Sequence, residues 1–145
     1  MTEIKIGGRT VPLLYTTFEM IEIQQEIGCT SFQLKDQVFG IHLADEDDPS
    51  SLRVEVAADA DRAEKMCKLI RILGNSGLEE KGEEPDLTDK WVKKHIKPGM
   101  LVPYAIAVMA EIAEGNRMES PKTEPESGPV DEGLEEEIAK KQPGS

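Results

Sequence analysis

The composition of the chain changes at Gly115, and this change limits how much of the sequence can build a folded core. Residues 115–145 contain four prolines, no aromatic residue, and eight acidic against four basic side chains, for a net charge of −4. Such a segment buries too little apolar surface to offset the entropy lost when it is ordered. We therefore expect a disordered acidic tail over 115–145 and one small domain over 1–114.

Charge and hydropathy exclude several classes of partner. The body, residues 1–114, carries 13 basic and 21 acidic side chains, so the whole chain has a net charge of −12. This balance argues against a nucleic-acid surface and against binding to anionic membranes. No apolar run reaches the roughly 18 residues of a membrane span, and the first residues lack a signal-peptide pattern. These features predict a soluble cytoplasmic protein.

The body reads as a mainly helical α+β domain with a short N-terminal β-hairpin. Gly7 and Gly8 lie between two short β-branched runs, which is typical of a tight hairpin turn. Thr16 and Glu19 form a capping-box pattern that starts a helix at 17–27. Apolar spacing and stop signals predict further helices at about 31–39, 58–73, 89–95 and from 99 or 100 to 114, with Thr88 or Asp86 as the cap of the helix at 89–95.

Some of these boundaries rest on particular residues. Phe32, Val38 and Phe39 are the expected apolar anchors of the helix at 31–39, and Gly74 is expected to end the helix at 58–73. Residues 74–87 then predict an exposed connector, with room for one helical turn at Leu78–Lys81. Pro103 allows the last helix either to begin late or to kink. Residues 52–56 alternate like a strand, but they fit equally well as a lead into the next helix.

The residues carry no pattern that indicates catalysis or a bound cofactor. Hydrolase, zinc-protease and phosphate-loop motifs are missing from the sequence. His42 lies near an acidic run, but that run lacks the central glycine and distal glutamate of a calcium loop. Cys29 and Cys67 are too few for a disulfide scaffold or a zinc site, and Cys67 lies on an apolar helical stripe. We expect no catalytic residue, no metal and no cofactor.

Two charged segments leave alternatives open. Four lysines surround Trp91, at positions 90, 93, 94 and 97; they form either a contact surface for an acidic partner or a solvated outer face. In the tail, Val130, Leu134 and Ile138 are spaced i, i+4, i+8 among acidic residues. This spacing fits either an amphipathic helix for a partner's groove or a solubilising tail with three incidental aliphatic residues.

Several segments, taken together, resemble a known family. They are Ile4-Lys5-Ile6-Gly7-Gly8-Arg9, Val11-Pro12-Leu13, Tyr15-Thr16-Thr17-Phe18-Glu19-Met20, Leu69-Ile70-Arg71-Ile72-Leu73-Gly74-Asn75, Glu83-Glu84-Pro85-Asp86-Leu87-Thr88, Ile96-Lys97-Pro98 and Gly128-Pro129-Val130-Asp131. Over nearly the whole chain this pattern resembles the tail assembly chaperones of long-tailed bacteriophages and of prophages in Gram-positive bacteria. It is a general pattern without a catalytic signature.

The resemblance implies a non-enzymatic role in the cytoplasm of the host bacterium. Chaperones of this family bind the hydrophobic, helical tape measure protein, help to recruit tail tube subunits, and leave before the virion is complete. Many exist in a second form, extended by a programmed ribosomal frameshift, that binds the tube protein. Ala139-Lys140-Lys141 is compatible with an A-rich slippery site. The family has no catalytic residues to transfer.

The expected partner contacts come from exposed apolar side chains on the helices and in the tail. They are Phe18, Met20, Ile23, Trp91, Tyr104, Met109, Val130, Leu134 and Ile138. Self-association into a homo-oligomer is compatible with the same surfaces. Two other functions stay open: a minor structural tail protein retained in the particle, and an acidic adaptor that acts through residues 130–138.

Overall fold

A computed structural model describes residues 1–118 and confirms a mainly helical α+β fold with an N-terminal hairpin. Its strands are β1 (Thr2–Ile6), β2 (Arg9–Leu13), β3 (Ile41–Leu43) and β4 (Leu52–Val54). Its helices are α1 (Thr17–Ile27), α2 (Ala60–Glu80), α3 (Asp89–His95) and α4 (Leu101–Asn116), with a π-helical turn at Lys35–Phe39. The predictions for residues 115–145 lie outside the described residues from position 119 onward.

The hairpin of β1 and β2 lies against the helices. The strands pair antiparallel from Thr2 opposite Leu13 to Ile6 opposite Arg9. Gly7 and Gly8 have φ angles of 57° and 79°, which side chains with a Cβ disfavour, so this turn depends on glycine. A two-stranded hairpin is marginal alone in water, and its inward side chains therefore have to pack on other elements. Here they pack on α2 and α4.

Helix α2 is longer than predicted, and it forms the centre of the fold. It continues through Gly74 to Glu80, so the predicted helix end at Gly74 and the exposed connector directly after it were wrong. A Cβ on Gly74 would lie 2.6 Å from Leu87 and 2.8 Å from Val11. A Cβ on Gly77 would lie 2.0 Å from the carbonyl oxygen of Pro12. The two glycines therefore permit close packing of β2 on the helix instead of ending it.

The segment predicted as a helix at 31–39 begins as a turn and is helical only in its second half. Only Lys35–Phe39 is helical, as one π-helical turn that ends at Gly40 with a φ angle of 62°. Val38 and Phe39 are buried, as predicted, and Leu34 is buried beside them. Phe32 is 90% exposed, so its prediction as an anchor was wrong. The inward side of this short turn is filled by the other three residues, which leaves Phe32 facing outward.

Residues 52–54 form a strand, and the sequence had left this point open. β4 pairs antiparallel with β3, with Ile41 opposite Val54 and Leu43 opposite Leu52, which adds a second hairpin. The acidic run between these strands is held by local hydrogen bonds. The Ser50 amide donates to the Asp48 carboxylate at 3.0 Å, and the Ser51 hydroxyl donates to the Asp45 carbonyl at 2.9 Å. The Asp48 carboxylate and the Asp45 carbonyl therefore stabilise a closed turn.

The other helix boundaries follow their local signals. α1 begins at the predicted capping box, where the Thr16 amide donates to the Glu19 carboxylate at 2.9 Å. Thr88 caps α3 through the Trp91 amide. Pro103 lies in the first turn of α4, where no intrahelical N–H bond is lost, so the helix begins late at Leu101. α4 ends at Asn116, two residues beyond the predicted end.

A polar cluster joins three helices beside the core. The Arg71 guanidinium, on α2, contacts Asp89 of α3 at 2.5 Å and also contacts Glu26 of α1. Glu22 lies one turn before Glu26. Burial, together with the neighbouring Glu26, raises the pKa of Glu22 above its usual range. The charged form of Glu22 is therefore less favourable in the folded protein than in the unfolded chain.

Glu22→Gln is expected to raise the thermal midpoint at neutral pH. Because the folded-state pKa of Glu22 is raised, ionising this carboxyl costs more in the folded protein than in the unfolded chain. This cost lowers the free energy of unfolding as pH rises through the raised pKa, so Glu22 destabilises the parent protein at neutral pH. Below the ordinary glutamate pKa both states are protonated, and the difference between variant and parent should disappear. Thermal unfolding followed by circular dichroism at pH 7 and pH 3.5 tests this. A variant less stable than the parent at pH 7 would contradict it.

Candidate functional site

The inner side of α4 is tied to the N-terminal hairpin. Both oxygens of the buried Glu111 carboxylate accept backbone hydrogen bonds, from the Thr2 amide at 3.0 Å and the Tyr15 amide at 3.3 Å. Tyr104 lies on the same side of this helix as Glu111, and its hydroxyl donates to the carbonyl of Lys5. These bonds, with the buried side chains beside them, determine which side of α4 faces outward.

The outer side of α4 is apolar as well. Its exposed or half-buried apolar residues are Val102, Pro103, Ile106, Ala107, Met109, Ala110 and Ala113, and Met100 precedes them. Ile106 is 55% exposed and Met100 is 42% exposed. The only charged residues in the helix are Glu111, on the buried side, and Glu114 near its end. A surface helix normally has a polar outer face, so this helix has the composition of one that is covered on both sides.

A separate groove lies beside the start of α4. It has a volume of about 310 Å³ and is lined mainly by Ala63, Cys67, Ile96, Pro98 and Leu101. Glu64 and Lys93 also line it, and they form an ion pair at 3.2 Å with largely exposed side chains. Burial raises the pKa of the Cys67 thiol, so this cysteine is a poor nucleophile at neutral pH. The groove can hold a few aliphatic side chains, and it offers no reactive group.

Trp91 has a structural role between α3 and the hairpin turn. Its ring stacks on the His95 ring with centroids 4.3 Å apart, and Arg9 lies 5.8 Å from its centroid. Arg9 also pairs with Asp86 at 2.7 Å, and this hydrogen bond lowers the pKa of the Asp86 carboxyl. Trp91 is half-buried by these contacts. Its indole therefore holds the hairpin turn against α3.

The structure separates the predicted contact residues of the helices into two groups. Phe18 is 70% exposed and Met20 is 41% exposed, while Met109 is half-buried at the edge of the outer face of α4. Ile23 is fully buried and Tyr104 is 8% exposed, so these two belong to the core, and their prediction as partner contacts was wrong. Helical spacing alone does not distinguish an inward stripe from an outward one. Val130, Leu134 and Ile138 lie outside the described residues.

The outer face of α4 includes residues that the sequence prediction did not select. Val102, Ile106 and Ala110 lie on it, whereas the residues named from this helix were Met109 and the buried Tyr104. The sequence did indicate an apolar outer face, because the stretch from 101 to 110 contains no charged residue. A helix without a polar side, and too short for a membrane span, indicates a second packing surface.

Residues 1–118 contain neither a group of metal-ligating side chains nor a single helix that could span a membrane. In this part of the chain no three histidine, cysteine, aspartate or glutamate side chains are grouped as a metal site. No single described helix is long and apolar enough to cross a membrane; α3 and residues 98–116 pass by length and composition only as a pair bent by 94°.

Comparison with known proteins adds no assignment. No family model, no curated protein and no solved structure matches the chain.

Proposed function

We propose that this protein is a phage tail assembly chaperone that binds and solubilises the tape measure protein in the host cytoplasm. The observation that carries the proposal is the apolar outer face of α4, a helix without a polar side on which Ile106 is exposed and which the exposed Met100 directly precedes. Large exposed apolar patches mark sites of protein interaction. The sequence resemblance to tail assembly chaperones supplies the identity of the client.

The proposed mechanism is the covering of one helix by another. A tape measure protein is a long helical chain with apolar stripes, and such a stripe packs on an apolar helix face by the helix-in-groove mode. Ala110 and Ala113 are small enough to allow a close approach of two helices, and Met100 and Met109 adapt to different partner side chains. The net charge of −12 keeps the complex soluble through self-repulsion. No covalent step is required.

The recruitment of tail tube subunits belongs to the same proposal. In tail assembly chaperones this step uses a longer form made by frameshifting, whose extension binds the tube protein. The DNA that encodes Ala139-Lys140-Lys141 decides this part. An A-rich heptamer followed by an overlapping second reading frame supports it, and the absence of either rejects it.

Co-expression with the tape measure protein of the same phage or prophage tests the function. The soluble fraction of the tape measure protein should rise several-fold when this chain is present, and the two should co-purify. Mature virions should contain no peptides of this chain by mass spectrometry. An unchanged soluble fraction would reject the chaperone function, and abundant peptides in virions would favour a retained structural protein instead.

Ile106→Asp is expected to weaken binding of the tape measure protein about ten-fold or more, because an unpaired charge would be buried at the interface. Ile106 is exposed in the free chain, so its thermal midpoint should change little. Phe32→Asp is the matched control, since Phe32 is 90% exposed and lies outside α4. Equal binding by both variants in a pull-down would show that α4 is not the contact surface.

A further inference from the structure

The groove beside the start of α4 combines an apolar floor with an unusual local charge. Lys90 lies one turn before Lys93 on α3, and Lys97 lies between Ile96 and Pro98, which both line the groove. Lys93 pairs with Glu64, but Lys90 and Lys97 are exposed and form no ion pair within residues 1–118. In a chain with a net charge of −12, this side of the groove is therefore locally basic. It suits an occupant that is apolar on one side and acidic at the edge that faces these lysines.

The same chain contains a segment with that pattern. Val130, Leu134 and Ile138 share one side of a helix when they are spaced i, i+4, i+8. On a helix, Asp131 and Glu137 lie at the two edges of that apolar side. Gly133 weakens an isolated helix by about 1 kcal/mol relative to alanine, so a helix of this length forms only against a binding surface.

The chain length allows this segment to reach the groove of its own molecule. α4 ends at Asn116, and a helix of its length spans about 24 Å from the groove end to the C-terminal end. The residues between Met118 and Val130 extend up to about 40 Å. Tethering at this length also provides an effective concentration on the order of 1 mM, which favours the attached segment over a free partner.

We propose that residues 130–138 of this chain bind in the groove between α2, α3 and the start of α4 as a short amphipathic helix. Val130, Leu134 and Ile138 contact the apolar floor around Cys67, and one acidic edge of the helix faces Lys90 and Lys97. This explains two features that the chaperone function leaves unused, the lysines around α3 and the spacing of the three aliphatic residues. The proposal concerns contacts within one chain, so it does not depend on the identity of any client.

The accessibility of Cys67 in the full-length protein measures occupancy of the groove. Alkylation by iodoacetamide, followed by peptide mass spectrometry, gives separate rates for Cys67, which is 6% exposed at the wall of the groove, and for Cys29, which is 1% exposed and serves as the internal reference. The double variant L134E/E135L keeps composition and charge but moves leucine off the apolar side. It should raise the Cys67 rate about ten-fold if the segment binds at about 100 µM and is tethered at about 1 mM. The Cys29 rate should stay unchanged.

The double variant E119S/S120E is the matched control, because it makes the same kind of exchange outside the apolar spacing. It should leave both rates at the parent values. Salt near 1 M screens charges beyond about 3 Å, so it should also speed Cys67 alkylation in the parent chain. Equal Cys67 rates in the parent and L134E/E135L would overturn the proposal. Protection that rises with protein concentration would also overturn it, and would assign the groove to a second copy.

Discussion

Gly77→Ala is expected to destabilise the folded protein by about 3 kcal/mol or more, which would lower its thermal midpoint by roughly 10 °C or more. A Cβ at this position would lie 2.0 Å from the carbonyl oxygen of Pro12 and 2.5 Å from its carbonyl carbon. Both neighbours are backbone atoms of β2, so no side-chain rotation relieves the contact. The hairpin would have to move away from α2, and the packing of Val11 and Leu13 would be lost with it.

The shortness of this contact determines whether Gly77→Ala stabilises or destabilises the protein. In a free helix, alanine is more stable than glycine by about 1 kcal/mol, so propensity alone would make this substitution stabilising. The clash exceeds that gain because both the helix and the strand are held by buried side chains. Gly99→Ala is the control, since nothing lies within 4 Å of a Cβ there. Urea unfolding of both variants tests the difference; a Gly77→Ala protein as stable as the parent would refute the close approach.

Glu111→Ala is expected to cost about 3 kcal/mol in the free energy of unfolding. Glu111 is 4% exposed, and its carboxylate accepts hydrogen bonds from the Thr2 and Tyr15 amides. The bond from Tyr15 is buried, so its amide would lose its partner without gaining full access to water. The variant should also loosen the hairpin, because both bonds connect it to α4.

Two further variants separate the hydrogen bonds from the loss of side-chain volume. Glu111→Gln keeps the shape but replaces one accepting oxygen with a donor, so it should cost about half as much as Glu111→Ala. Glu114→Ala, three residues along the same helix and exposed, should change stability by no more than about 0.5 kcal/mol. Amide hydrogen exchange of Thr2 and Tyr15 provides the local readout. Protected amides in Glu111→Ala would contradict the assigned bonds.

The predictions that held were those with a local chemical cause. Thr16 and Glu19 specify the start of α1 through hydrogen bonds that lie within four residues, so no distant contact was needed to predict it. Gly7 and Gly8 likewise determine a turn through their own φ angles. Thr88 caps α3 by the same kind of short-range bond. Each of these local structures forms through contacts between near neighbours and needs no contact with a distant part of the chain.

The predictions that failed depended on what lies across the core. Gly74 is a plausible helix end when read along the chain, yet Val11 and Leu87 approach it from other elements, and these contacts favour glycine inside the helix. Phe32 has the hydrophobicity of an anchor, but the turn at 35–39 fills its inward side with other residues. Ile23 and Phe18 belong to one helix and one apolar set, and the packing of that helix on the rest of the fold decided that Ile23 is buried and Phe18 exposed.

The candidate site divides in the same way. The apolar stretch from 101 to 110, the lysines around Trp91 and the spacing of Val130, Leu134 and Ile138 are all visible in the sequence. The sequence does not show which side of α4 faces outward, because that orientation depends on the hydrogen bonds of Glu111 and Tyr104 with the hairpin. The groove was not visible either, since its lining comes from three helices.

The sequence by itself determined the mainly helical class of the fold, the turn at Gly7 and Gly8, and the capped starts of α1 and α3. These features arise from backbone preferences and from hydrogen bonds between near neighbours, so they can be predicted from the order of residues alone. The tertiary structure alone decided the length of α2, the burial of Ile23 and Tyr104, and the exposure of Ile106. Those outcomes depend on which surfaces meet, and apolar burial has no direction along the chain that would reveal its partner.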